Sequence, residues 1–127
     1  MQVRHINAPD APAPSGQFSH AVEVTGATRT VYISGQVGTD MTGHVPVDAT
    51  QQGKLLWANI QAQLRAVDMT VENIVKIVTI VTSLDHLAAS RATRTEALGD
   101  RKPASTLIVA GLVNPALKIE VEVVAVA

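Results

Sequence analysis

Residues Asn73 to Thr82 read NIVKIVTIVT. β-Branched side chains fill nearly every position, so the segment predicts a strand. Apolar residues fall on both of its faces, as in a strand covered above and below. The rest of the chain offers only two amphipathic helices, over 48–68 and 83–98. Two helices can cover only one face of a single sheet. The other face must be buried against something a single chain does not supply, which points to association of sheets between subunits. Such an assembly makes its clefts at subunit boundaries, where ligand pockets are common.

The remaining elements follow from local pattern. Residues 8–16 (APDAPAPSG) predict an extended lead-in. Ser19–Val24 alternates as a strand, and Thr30–Ser34 is a second strand of β-branched and aromatic residues. Glycines at 35, 38 and 43 mark a long loop to Val47. Asp48 opens the first helix as its N-cap, with Gln51 at the reciprocal position of a capping box. Leu56, Ile60, Leu64 and Val67 then form one apolar stripe. Gly53 weakens that helix, so close packing is expected there. In the second helix Leu84, Leu87, Ala88, Arg91 and Arg94 share helical spacing, with Ser83 as a candidate cap and Gly99 as the stop. Ser105–Val109 predicts a strand. Leu117–Ala127 closes the chain as a strand with Glu120 and Glu122 on one face and Ile119, Val121 and Val123 on the other. The 127 residues make one domain, 1–127, of the α+β class.

Composition excludes several functions. Ten basic residues against 11 acidic ones leave a net charge of −1, so no basic field awaits a phosphate backbone. Three aromatic rings, Phe18, Tyr32 and Trp57, are too few for a base-stacking platform. Nucleic acid is therefore not an expected partner. The absence of cysteine removes thiolate nucleophiles, disulfides and Cys-based metal sites. The first residues lack the apolar run of a signal peptide, and no stretch is long and apolar enough to span a membrane. A cytoplasmic protein without membrane contact is the expectation.

Few side chains form a chemical motif. His5, His20, His44 and His86 lack the spacing of a zinc site, so no metal is expected. Ser34, His20 and Asp40 could be drawn as a triad, but no nucleophile elbow accompanies them. Glu120 and Glu122 read either as solvated charges on a strand or, for Glu120, as a carboxylate in a cleft that orients water or acts as a general base.

The chain also carries Asn7-Ala8-Pro9, Gly16-Gln17-Phe18-Ser19-His20, Tyr32-Ile33-Ser34-Gly35-Gln36, Gly43-His44-Val45-Pro46, Ile74-Val75-Lys76, Lys102-Pro103-Ala104-Ser105 and Lys118-Ile119-Glu120-Val121-Glu122. In this order and spacing they resemble the RidA family, also called the YjgF family and labelled endoribonuclease L-PSP. The resemblance spans essentially the whole chain. It implies a chorismate-mutase-like fold: one mixed sheet with two helices on one face, and a homotrimer whose three sheets meet in a central barrel. It also implies intersubunit clefts for a small carboxylated or carbonyl metabolite. There, enamines and imines such as 2-imino acids are hydrolysed to 2-keto acids and ammonia without any cofactor.

Carried over by position, the family's water-holding glutamate falls on Glu120. The substrate loop falls on Ser34, Gly35 and Gln36, and the aromatic wall falls on Phe18. The family's substrate-gripping arginine falls on Ser105, which makes this chain a divergent member. A serine hydroxyl offers one neutral donor in place of a charged bidentate fork. Arg91, with Arg94 three residues on, reads either as a solvated helix face beside Glu96 and Asp100 or as a replacement cation reaching the cleft. Two classes of function follow: a RidA-like imine or enamine hydrolase, or a non-catalytic metabolite-binding or chaperone-like trimer.

Overall fold

A computed structural model describes residues 1–127. Four strands form the main sheet: β3 (Thr30–Val37), β4 (Ile74–Val81), β5 (Ala104–Val109) and β6 (Ile119–Val126), in the spatial order β3-β6-β4-β5. β4 is central, antiparallel to β6 and parallel to β5, so the sheet is mixed. The helices α1 (Ala49–Arg65) and α2 (Leu87–Leu98) follow β3 and β4. Ile77, Val81, Ile119, Val121 and Val123 of the sheet pack with Leu56, Ile60 and Leu64 of α1 and Leu98 of α2 in one core.

The local signals act as their chemistry requires. Asp48 accepts the backbone N–H of Gln51 at 3.0 Å and caps α1. The reciprocal bond from the Gln51 side chain does not form. Its neighbour Gln52 works instead: it is fully buried, donates to the carbonyls of Pro46 and Ala116, and accepts from the N–H of Lys118. α1 stops at Arg65, and the following turn ends at Asp68 in the left-handed region. At Gly53 the two helices meet so closely that a Cβ would lie 2.3 Å from Thr93 Oγ1.

Two differences from the sequence reading stand out. Residues 2–6 form a strand, β1, which pairs antiparallel with β2 (Ala21–Thr25) in a separate two-stranded ribbon. Gln2, Val3, Arg4 and His5 are all exposed, so no buried face stamped a two-residue period on them. The strand expected to start at Ser19 begins instead at Ala21. Ser19 is buried, donates to the Lys102 carbonyl at 2.6 Å and bridges to Ala104 at the head of β5.

The strands β5 and β6, consecutive in sequence, are also not neighbours. α2 carries the chain from β4 to a parallel β5, and the loop at 110–118 then returns it across β4 to pair on the far side. On the face away from the helices, Lys76, Val78, Ile80 and Val124 are only half-buried, and Tyr32 is 79% exposed. This is the second apolar face of the central strand, which neither helix covers.

Candidate ligand cavity

In the parallel pair, Ser105 lies level with Ile77 and Leu107 with Thr79. Ile77 and Thr79 are buried under the helix layer, so Ser105 and Leu107 face it too. α2 lies above them. Leu87, Arg91, Arg94 and Thr95 follow at helical spacing and share the face turned toward β5. The segment 15–18 closes the side, held to the end of α2 by the Gln17 amide, which donates to the carbonyls of Gly99 and Arg101. These elements enclose a cavity of about 520 Å³, within the usual range for small-molecule sites.

Arg94 is the best-anchored charge in it. Its Nη2 donates to the Gln17 carbonyl at 2.8 Å and to Ser105 Oγ at 2.9 Å. Ser105 Oγ in turn donates to the Pro103 carbonyl at 3.1 Å. The Nε of Arg94 is buried without an acceptor. Burial holds the Arg94 pKa below the ordinary arginine value, but a guanidinium stays protonated at neutral pH. Phe18 forms an apolar wall, packed edge-on against His20 with ring centroids 5.5 Å apart. No aspartate or glutamate lines the cavity.

Of the residues singled out from sequence, Phe18, Arg91 and Ser105 meet here. Ser34, Gly35, Gln36 and Glu120 do not line this cavity within one chain. They belong to β3 and β6, where the pairing register slips between Ile33 and Gln36. That bulge leaves Ser34 and Gly35 unpaired opposite Glu122, while Glu120 pairs with Val37. Glu120 lies over Gly35 so closely that a Cβ there would be 2.5 Å from Oε1.

Ser105 and Glu120 do not sit on paired strands. Glu120 is level with Ile80, Ser105 with Ile77, and β4 runs between them. Two strand spacings separate them laterally by roughly 10 Å. They also point to opposite faces of the sheet, since Glu120 alternates with buried Ile119 and Val121. The Glu120 face carries a second, smaller hollow of about 230 Å³, lined by Tyr32, Ser34, Lys76 and Glu122 among others.

The sequence left open whether Arg91 or Arg94 supplies the missing cation; both line the cavity, and Arg94 is the one that reaches Ser105. The spacing of Leu87, Arg91 and Arg94 was the available signal; which of the two turns inward depends on where β5 lies under the helix. Thr95 carried no signal of its own, and Gln17 only its place in the stretch from Gly16 to His20. No three His, Cys, Asp or Glu side chains come together as metal ligands, and no helix is long and apolar enough to cross a membrane.

The sequence pattern of the endoribonuclease L-PSP family matches residues 8–127. A RutC family protein of Aquifex aeolicus is 30% identical, with 98% of each chain covered. A 2-iminobutanoate/2-iminopropanoate deaminase of Capra hircus is 29% identical over 97% of this chain and 89% of its own. Among solved structures, a protein of unknown function of the conserved Rid family from Yersinia pestis superposes with a TM-score of 0.83 at 32% identity, each chain fully covered. With the family pattern matched from residue 8 to the last, and the same fold over the full length, this chain belongs to the endoribonuclease L-PSP family, the RidA or YjgF family.

Proposed function

We propose that the protein hydrolyses a small carboxylated imine or enamine in a cleft formed between chains. The observation that carries this reading is the cavity under α2, which offers Phe18 as a wall and Arg94 as a desolvated cation beside Ser105. An acidic ligand finds there the charge that Ser105 does not itself provide. Water adds to the imine carbon, the C–N bond breaks, and a 2-keto acid and ammonia leave. Glu120 orients that water and takes its proton. Relatives named as 2-iminobutanoate/2-iminopropanoate deaminases, at 28–29% identity, support this chemistry.

Glu120 and the cavity lie on opposite faces of one sheet, so the reading requires two chains. In the assembly proposed, the uncovered sheet faces of a homotrimer meet in a central barrel. Ser34, Gly35, Gln36 and Glu120 of one chain close the cavity of the next. The half-buried Val78, Ile80 and Val124 and the exposed Tyr32 support it, because they leave an apolar face without a partner.

The test is release of keto acid and ammonia from imines generated in situ from amino acids. The wild type should accelerate it. Glu120→Gln should reduce the rate at least about 100-fold, the usual scale for a general base. Sedimentation equilibrium should give three times the 13.4 kDa of one chain. A monomer, or no acceleration by wild type, overturns the proposal. A second reading, a trimer that binds a metabolite without converting it, is favoured by the neutral Ser105 hydroxyl alone; ligand binding without turnover would establish it.

A further inference from the structure

Arg91 and Arg94 both line the cavity under α2, one turn apart, and neither is paired with a carboxylate of its own chain. The two ion pairs of the chain, Arg4 with Glu23 and Arg101 with Glu72, are formed by other residues. Glu96 and Asp100, the acidic neighbours at the end of α2, do not line the cavity. Two guanidiniums whose Cβ atoms stand roughly 5–6 Å apart repel each other unless an anion lies between them. Arg94 is anchored deep, on Ser105 and the Gln17 carbonyl, with its Nε still lacking an acceptor. Arg91 is exposed and without a hydrogen-bond partner of its own. The cavity therefore has a fixed cation at depth and a free one nearer to solvent.

We propose that this cavity takes a short dicarboxylate, with one carboxylate on Arg94 and the second on Arg91. This rests on the cavity being the ligand site, and it names the substrate class: a four- or five-carbon acid with a charge at each end. Arg94, already oriented by two acceptors, binds the carboxylate next to the reacting carbon. Arg91, one turn away, selects for the distal carboxylate. Phe18 covers the apolar stem between them. An acid with a methyl group at its far end leaves Arg91 unpaired and the repulsion uncompensated.

Isothermal titration of the full chain at fixed ionic strength tests this, with succinate, butyrate and inorganic phosphate as probes. Succinate should bind about tenfold more tightly than butyrate, a difference of about 1.4 kcal/mol. Arg91→Gln should abolish the difference, so that succinate and butyrate bind alike. Arg94→Gln should weaken both, and Arg94→Lys should restore part of the loss. Equal binding of succinate and butyrate by the wild type overturns the proposal, and that comparison needs no variant. So does a succinate preference that survives Arg91→Gln, or phosphate binding more tightly than succinate. Succinate preference without imine hydrolysis would leave this inference standing and remove the hydrolase reading. Hydrolysis that favours imines of monocarboxylic amino acids would do the reverse.

Discussion

Gly35 and Glu120 occupy each other's space: a Cβ on residue 35 would lie 2.5 Å from Oε1, 2.7 Å from Cδ and 2.9 Å from Cγ of Glu120. The glycine is required for room, since its backbone is not in the left-handed region. Any side chain at 35 displaces most of the Glu120 side chain. Gly35→Ala should therefore lower the turnover of the imine assay by about tenfold or more, through the misplacement of a water-orienting group. The fall should appear in kcat, with the melting temperature little changed. An unchanged kcat would separate Glu120 from the chemistry.

Gln52 ties three segments together. It donates to Pro46 at 2.7 Å and Ala116 at 2.9 Å and accepts from Lys118 at 2.9 Å, and its own side chain is fully buried. Gln52→Leu fits the volume but strands two carbonyls and an N–H. At about 1–3 kcal/mol for a buried group left unpaired, a loss of about 3 kcal/mol is expected after local relaxation. Urea denaturation with an unchanged slope measures it; a loss below about 1 kcal/mol would mean that water replaces the amide.

Gly53 and Thr93 set the approach of the helices. Alanine is the better helix former by about 1 kcal/mol, yet its Cβ would meet Thr93 Oγ1 at 2.3 Å. Overpacking of this kind costs about 1–3 kcal/mol, so Gly53→Ala should destabilise the protein by about 1 kcal/mol net. In a Thr93→Ala background the same change should cost less. Additive losses across the four proteins would rule out the close contact as the cause.

The loop after β3 turns on Asp40. Its Oδ1 accepts from Thr42 Oγ1 at 2.7 Å, Thr42 N at 2.8 Å and His44 N at 3.0 Å. The Thr42 hydroxyl first, and then the His44 and Thr42 amides, hold its pKa below the ordinary 3.8. A lowered folded value favours the charged form. The contribution to loop order is complete above the ordinary carboxylate range and is lost as pH falls through the folded pKa. NMR titration should place the Asp40 carboxyl below the ordinary 3.8, and Thr42→Val should raise it. A midpoint at or above the ordinary value would contradict the geometry.

The order of the elements after residue 19 was legible in the sequence because each signal is local. A cap at Asp48, a stripe from Leu56 to Leu64 and a two-faced apolar run at 74–81 act within one or two turns of chain. The uncovered face of the sheet was also legible, since it follows from counting apolar faces against helices. The family resemblance rested on short motifs that lie in loops and strand ends, and the sequence carries them whatever the fold does.

Strand order was decided only in three dimensions. Nothing in 104–109 or 119–126 states that β6 crosses β4 to pair on its far side, because hydrogen-bond ladders are made by backbone groups common to every residue. The exposed strand at 2–6 was invisible for a related reason: its pairing is made by main chain, with no buried side chains to leave a pattern. The site followed the same division. The presence of Glu120, Ser105 and two arginines was readable, but their grouping was not. Crossing order put β4 between Glu120 and Ser105, pairing register turned them to opposite faces, and the seating of α2 over β5 brought Arg94 to Ser105 at 2.9 Å. A one-dimensional spacing specifies which residues share a helix face, whereas the partner of that face depends on packing between distant segments.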